Sequence, residues 1–513
     1  MKKLTFILAL TGALLMAGCS LFAPEEFTMD PPAVDSGTAD FSVYVSIGNS
    51  LTAGYQSGAL YESTQQYGYA MQLANAMSVA SFEVPWIADP GIYDAELELG
   101  HLQVVLDAEG NASLAPIPWE GISSPLELLL NAELQGPYNN MGIPGSTAYD
   151  LLFAMDQTTC FTAQIGEPNA YFDMILRNGS IPWTAFGGAA DDLPAVEIAK
   201  LAQPTFASVW IGNNELLLPA TSGIGAPFYP AEDDGGPLNF RELYTGILGG
   251  LVTDLPSAKF VTADLPYVTN IPYFTTVLWF VIDSDSNPVD GDPETDGIQF
   301  VGLLAEEGAG FQLASGDLVC LAVLSYDSDS NGVPDLNEGM GIPDAILIAG
   351  IMADLEVDYA TAEGILNHPT ESPFPHHGTL IPGGLTLVAA EVANILQATD
   401  DYNTVIHSVA GGHVVPVVEI NAYFQDVAAN GAEYNGEEYS TTFVTGGLFS
   451  LDGVHPSNVG YALIAEEFIE TINDAYGSEL SAALLPTVPP VTRSISEING
   501  LPTLPARFPG MPF

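Results

Sequence analysis

Four short blocks of this chain hold the residue types that acyl transfer needs. Ser50 lies in Gly48-Asn49-Ser50-Leu51-Thr52-Ala53-Gly54. A serine at a strand-to-helix turn is ordinarily only a helix cap. To act as a nucleophile it needs a base within hydrogen-bond reach and donors for an oxyanion. Asp452-Gly453-Val454-His455-Pro456 offers the base. Carboxylate and imidazole three residues apart can come from one loop, the Asp orienting the ring through Nδ1 and leaving Nε2 to take the serine proton. Taken alone, that pair is a surface turn ahead of a helix.

Two further blocks offer the donors. Asn140-Met141-Gly142-Ile143-Pro144-Gly145-Ser146-Thr147 is a glycine-bearing turn, and Gly212-Asn213-Asn214-Glu215 follows the apolar run FASVWI. A glycine turn or a loop asparagine means little singly. Together, Ser50 N–H, Gly145 N–H and the Asn214 side-chain amide would make an oxyanion hole, each donor of this kind contributing about 3 kcal/mol to a transition state. Chemistry of this type asks for no cofactor.

Such residues must be carried by elements that bring them together. Strand-like runs occur at Phe41–Ile47, Phe206–Ile211, Lys259–Ala263 and Val414–Ile420, with helical stretches at Leu385–Leu396 and Val459–Ile472. In the last stretch Tyr461, Ile464, Phe468 and Ile472 share one face. Strands alternating with helices predict an α/β domain with a central parallel sheet, whose chemistry collects beyond the carboxyl ends of the strands. An α/β-hydrolase elbow, Gly-x-Ser-x-Gly in mid-chain, does not fit Ser50.

In this order the four blocks resemble the SGNH (GDSL-like) hydrolase superfamily, in its bacterial lipoprotein branch. GNSL is similar to that family's GDSL block, NMGIPGST to its glycine block, GNNE to its GxND block and DGVH to its DxxH block; YVSIGNSLTAGY, VWIGNNELL, ADLPYVTNIPYF and SLDGVHPSNVGYALIAEEFI carry the likeness further. The resemblance implies a three-layer α/β/α (flavodoxin-like) fold. It also implies a serine esterase with Ser50 as nucleophile, the Asp452/His455 pair as its acid–base partner, and Gly145 and Asn214 in the oxyanion hole. Asn49 and Glu215 stand where the family carries Asp, at positions outside its four catalytic residues. The expected substrate is a carboxylic ester, of a lipid or of an acylated glycan. The competing reading is a non-catalytic, calcium-dependent surface binding lipoprotein on the same scaffold.

The N-terminus reads as an address. Lys2 and Lys3 precede an apolar run, Leu4–Leu15, too short to span a bilayer. The sequence Met16-Ala17-Gly18-Cys19 that ends it resembles the lipobox of bacterial lipoproteins, which implies lipidation of Cys19. The expected protein is therefore exported and held in the bacterial cell envelope, at the outer membrane, by a lipid anchor rather than a span. The expected organisation is a signal peptide (1–18), a tether (19–38), the first part of the hydrolase domain (39–220), an acidic, partly β insertion (221–375) with a core strand near 259–265, the second part of the domain (376–476) and a Pro-rich tail (477–513).

Charge bounds the partners. The 513 residues hold 64 acidic and 8 Lys or Arg residues, a net charge of −56. Such a surface repels nucleic acid and anionic lipid headgroups, so neither is an expected partner. The 47% hydrophobic content is too high for global disorder. Either a high-salt habitat or cation-binding loops would accommodate the charge. Asp327, Asp329, Asn331, Asp335 and Glu338 follow a calcium-loop spacing with Gly332 at the sharp turn, and a strand-like run (LVCLAVLSY) ahead of them; the expected ligand is structural calcium. The earlier repeat, Asp283, Asp285, Asn287, Asp290 and Asp292, has Pro288 in the glycine position and fits less well. His376 and His377 are adjacent and lack a nearby thiol, which argues against zinc. Cys160 and Cys320 could pair in an exported protein or remain two buried thiols. The acidic insertion is the expected source of substrate choice.

Overall fold

The computed structural model describes residues 34–106, 112–278, 280–283, 299–306, 312–329, 335–355, 357–368 and 372–481. The leader with Cys19, most of the tether, Asn331, the second acidic repeat beyond Asp283 and nearly all of the Pro-rich tail lie outside these residues. The described residues from Ser36 onward form one compact unit.

Its centre is a five-stranded, wholly parallel sheet: β1 (Tyr44–Gly48), β2 (Asn140–Gly142), β3 (Phe206–Trp210), β4 (Lys259–Ala263) and β5 (Val417–Val418). The spatial order is β5-β4-β3-β1-β2. Every residue of β1 and β3 is buried, as expected of strands covered on both faces, and this explains why their sequences are apolar or small throughout rather than alternating. The sheet is flanked by helices, giving the expected α/β class. On one face α2 (Tyr69–Ala76) packs against α10 (Asn458–Tyr476), with Tyr69 stacked on Phe468 at 4.9 Å and both rings meeting Trp210 of β3. Helix α10 is capped by the Ser457 hydroxyl at its start and by Gly477, at φ +67°, at its end. Tyr461, Phe468 and Ile472 are fully buried, whereas Ile464, on the same stripe, is only half-buried.

Several boundaries differ from the expected ones. The first strand starts at Tyr44 rather than Phe41. The run Val414–Ile420 contributes only Val417 and Val418, because α8 (Ala389–Gly412) runs on to 412 and Val414 sits at φ +57°, 89% exposed. That 24-residue helix extends well past the expected Leu396, its Tyr402 ring stacked on Phe240 at 3.9 Å. Strand β2 was legible only as part of a turn: three residues carry too little pattern to show a period.

Within 221–375, the segment 240–263 belongs to the sheet and its flanking helices, so the insertion proper begins after β4. It has a hydrophobic cluster of its own, in which Val319, Val323, Leu336, Leu347 and Leu366 are buried around α6 (Asp344–Leu355) and α7 (Tyr359–Leu366). Among its described residues the strands form two short antiparallel pairs, 280–283 with 299–302 and 318–319 with 386–387, beside a few isolated bridges. The run LVCLAVLSY is strand only at Leu318–Val319 and then turns into a 3-10 helix, Leu321–Ser325.

Candidate active site

The sheet delivers the four blocks to one end. Ser50 opens α1 (Ser50–Ala53), directly after β1. Asn49 caps that helix, its Oδ1 accepting from Leu51 N at 3.0 Å, while its Nδ2 donates to Asn213 Oδ1, also at 3.0 Å. Asn213 immediately precedes α5 (Asn214–Thr221), so one buried amide ties the two loops together. The amide at 49, where the resemblance would put Asp, serves both as cap and as donor.

Residues 448–456 form a tight loop before α10, closed by Ser450 N donating to His455 O at 2.8 Å and Gly453 N to Ser450 O at 3.0 Å. From this loop His455 Nδ1 lies 2.9 Å from Asp452 Oδ2, and His455 Nε2 lies 2.9 Å from Ser50 Oγ. An ionised carboxylate only accepts, so Nδ1 carries the proton and Nε2 is left to accept from the serine hydroxyl. The serine and histidine are 405 positions apart in the chain.

Asp452 is the most heavily bonded of the three. Its Oδ1 accepts from Ser450 Oγ (3.1 Å), Val454 N (2.9 Å) and His455 N (2.9 Å), and its Oδ2 also accepts from Gly58 N (2.8 Å). Burial would raise its pKa, but His455 and the hydrogen bonds outweigh it and hold the carboxyl below the usual range. The His455 ring also packs on Tyr55, centroids 4.6 Å apart, and Tyr55 OH donates to Gly58 O. Ser57 closes the connection, donating its N–H to Ser450 Oγ at 2.8 Å. Sequence reasoning missed Tyr55, Ser57, Gly58 and Ser450. The Ser-x-Asp spacing at 450–452 was the single local signal; the others act across nearly 400 residues.

The expected oxyanion donors are arranged as follows. Gly145 sits at φ +76° after β2, a conformation that disfavours any other residue. Gly142 at the strand's end lets the backbone of α1 approach, since a Cβ there would meet Ala53 N at 2.3 Å. Among the described residues neither Ser50 N–H nor Gly145 N–H has an acceptor. The Asn214 amide donates one hydrogen to Ser146 O at 2.7 Å, which fixes the amide plane and leaves its second N–H uncommitted to that bond. Asn214, Ser50 and His455 border one cavity; Gly145 lies just outside its lining.

Glu215 has a distinct place. It is fully buried, Oε1 accepts from Ala148 N at 2.5 Å at the start of α3 (Ala148–Phe153), and among the described residues Oε2 has no partner. Burial pushes its pKa up to about 8 against the hydrogen bond from Ala148, with the Asp150 carboxylate adding to the rise. It is a neutral acid joining the glycine turn's helix to the Asn214 helix.

The cavity beside Ser50 and His455 has a volume of about 110 Å³. Its walls come from Pro266, Val268 and Ile271 after β4, from α9 (Ile420–Asn430), from Leu448 and Phe449, and from α10, where Ile464 spends its half-buried face. Among the described residues no wall comes from 272–419, so of the insertion (221–375), expected to set substrate choice, only Pro266, Val268 and Ile271, just after β4, line the cavity and its acidic part does not. What the insertion does touch is the back of the catalytic loop: Tyr273 N donates to Gly453 O at 2.9 Å, and Leu321 Cδ2 stands 3.0 Å from where a Gly453 Cβ would be.

Of the expected calcium ligands, Asp329, Asp335 and Glu338 converge, and His376 joins them, all four offering ligand atoms within 4.8 Å of one another. Asp335 is buried. Asp327 is described but is not one of the four, and Asn331 lies outside the described residues. The imidazole, set aside in the sequence, lies 3.4–3.8 Å from the three carboxylates. Cys160 and Cys320 are both buried and unpaired, the Cys320 thiol pushed up to about 12 by burial.

No family model, curated protein or solved structure matches this chain. The candidate site therefore stands on its geometry. Among the described residues no helix is long and apolar enough to cross a membrane.

Proposed function

We propose that this chain is a serine esterase on an SGNH-type three-layer α/β/α scaffold, hydrolysing carboxylic esters through an acyl-enzyme. The observation that carries the reading is the unbroken line of hydrogen bonds from Ser50 Oγ through His455 to Asp452, each 2.9 Å long. In the first half-reaction Ser50 Oγ attacks the ester carbonyl carbon and passes its proton to His455 Nε2. Asp452 stabilises the imidazolium, and Ser50 N–H, Gly145 N–H and the Asn214 amide receive the oxyanion. The carbon–alkoxy bond breaks and His455 returns the proton to the leaving alcohol. Water then attacks the acyl-enzyme, giving its proton to His455, and the acid departs as Ser50 recovers the hydrogen. No cofactor takes part. The lipobox-like Met16–Cys19 supports export and lipid anchoring at Cys19, in the bacterial cell envelope.

A fluorophosphonate probe tests the reading. It should label the full chain at Ser50, and Ser50→Ala should abolish both labelling and p-nitrophenyl ester turnover. Full turnover in that variant would remove the proposal.

A second reading, a calcium-dependent surface binding lipoprotein on the same scaffold, draws on the convergence of Asp329, Asp335, Glu338 and His376. It requires that Ser50 resist the probe.

A further inference from the structure

The cavity beside Ser50 differs in chemistry from the rest of the molecule. The chain carries 64 acidic residues, yet none of the residues lining this cavity is Asp, Glu, Lys or Arg. Most of its polar side chains, Asn49, Asn213, Asn214, Ser50 and His455, belong to the serine blocks, and the Tyr423 phenol on α9 is the other hydroxyl in its lining. Away from that end the walls are aliphatic or aromatic: Ile420, Phe424 and Val427 from α9, Leu463 and Ile464 from α10, and Phe449 between them. One of the few polar groups in the walls, the Trp210 indole N–H, is already bonded to Asp264 O at 3.0 Å.

Resting on the serine-esterase reading, we infer that the substrates are esters of short aliphatic acids, with the acyl chain seated in this cavity. Three arguments lead there. A sugar ring would bring several hydroxyls to walls that offer little beyond the Tyr423 phenol to bond them, and each group left unpaired costs about 1–3 kcal/mol. Acylated glycans with the sugar on this side are thereby disfavoured. An acetyl group would leave most of the space to water without polar partners. The half of the ester that stays bonded to Ser50 must be housed until water attacks, whereas the alcohol protonated by His455 must leave; an apolar recess suits the first and not the second.

Size sets the length. An apolar cavity near 150 Å³ takes a six-carbon ring. At about 110 Å³ this cavity accommodates about four to six acyl carbons, a longer chain projecting past it into solvent. Each methylene transferred from water into the recess raises kcat/KM by about fourfold, so butanoyl should exceed acetyl by about fifteenfold. Beyond hexanoyl the gain should cease.

The test uses the full-length protein and two series. In one, p-nitrophenyl esters run from acetate to decanoate; in the other, acetate esters of ethanol, butanol and hexanol vary the alcohol. The expected result is a climb in kcat/KM to butanoate or hexanoate and then a plateau, with little response to the alcohol. Ile464→Trp should move the optimum to shorter acids and Phe424→Ala to longer ones, each compared as a ratio between two substrates so that a general loss of activity cancels. Probe labelling of Ser50 with acetate as the best acyl group, or with rate following the alcohol, would overturn the acyl assignment while leaving the serine mechanism intact. Absence of both labelling and turnover would overturn the two together.

Discussion

Asn49 Nδ2 donates to Asn213 Oδ1 across 3.0 Å, so a single buried amide joins the helix that begins with Ser50 to the helix that begins with Asn214. The relative placement of the proposed nucleophile and oxyanion amide depends on this bond, since the two residues come from different strands of the sheet. Asn49→Ala loses the bond and the cap on Leu51 N together. Capping losses alone run about 0.5–2 kcal/mol, and chemical denaturation should show a destabilisation of that order. Ester turnover should fall by about tenfold in kcat, with KM changed less, because a misplaced donor is felt chiefly in the transition state.

Asp452 accepts from Ser450, Val454, His455 and Gly58, in addition to orienting the His455 ring. Asp452→Asn cannot accept from Nδ1–H in the same way and should lower kcat by about 10³–10⁴. Because the folded carboxyl titrates below its usual range, its contribution to stability is present above the unfolded pKa of about 3.9 and is lost as pH falls through the lower, folded value. The stability difference between parent and variant should therefore be largest near neutrality and disappear in strong acid, which denaturant titrations at several pH values would read.

Glu215 runs the opposite way. Its folded pKa, near 8, lies above the unfolded value, so between about pH 4.3 and 8 the unfolded chain sheds a proton that the folded chain keeps, and stability falls with rising pH. Glu215→Gln keeps an acceptor for Ala148 N and removes the titration. The variant should match the parent near pH 4 and gain on it by a few kcal/mol, to order of magnitude, by pH 8. A constant difference across that range would show that Glu215 does not hold its proton.

Calcium binding by the acidic loop predicts that chelation lowers the unfolding temperature and that calcium restores it, saturation at 100 times Kd adding about 2.7 kcal/mol. Asp335→Asn, at the buried member of the group, should remove most of the restoration. An unchanged midpoint with and without EDTA would remove calcium from the group of Asp329, Asp335, Glu338 and His376.

Residue type and local spacing were enough for the α/β class and for the positions of β1, β3 and β4 to within a few residues, whereas the Ser50, Asn214 and Asp452/His455 blocks were singled out by their order along the chain and its resemblance to the SGNH hydrolases. The strands and the blocks are each local in themselves: a buried strand is apolar along its length, and a carboxylate three residues from an imidazole needs only one turn. Tertiary structure decided what depends on distant contacts. Val414–Ile420 is mostly not strand because α8 continues to 412, and Pro416, which has no N–H for a ladder, is the mark in its composition that sets it apart from β4. Gly58 and Ser57 support the Asp452 loop from the other end of the chain through backbone N–H groups that nearly every residue possesses, and Tyr55 does so through its ring and phenol. Likewise the recess beside Ser50 is built largely by α9 and α10, with Pro266, Val268 and Ile271 the share of the expected insertion, since a wall is made by whichever side chains the sheet brings to the serine. The sequence thus determined which atoms could react; only folding decided which surfaces would surround them, because hydrogen bonds and packing act over ångströms whatever the separation along the chain.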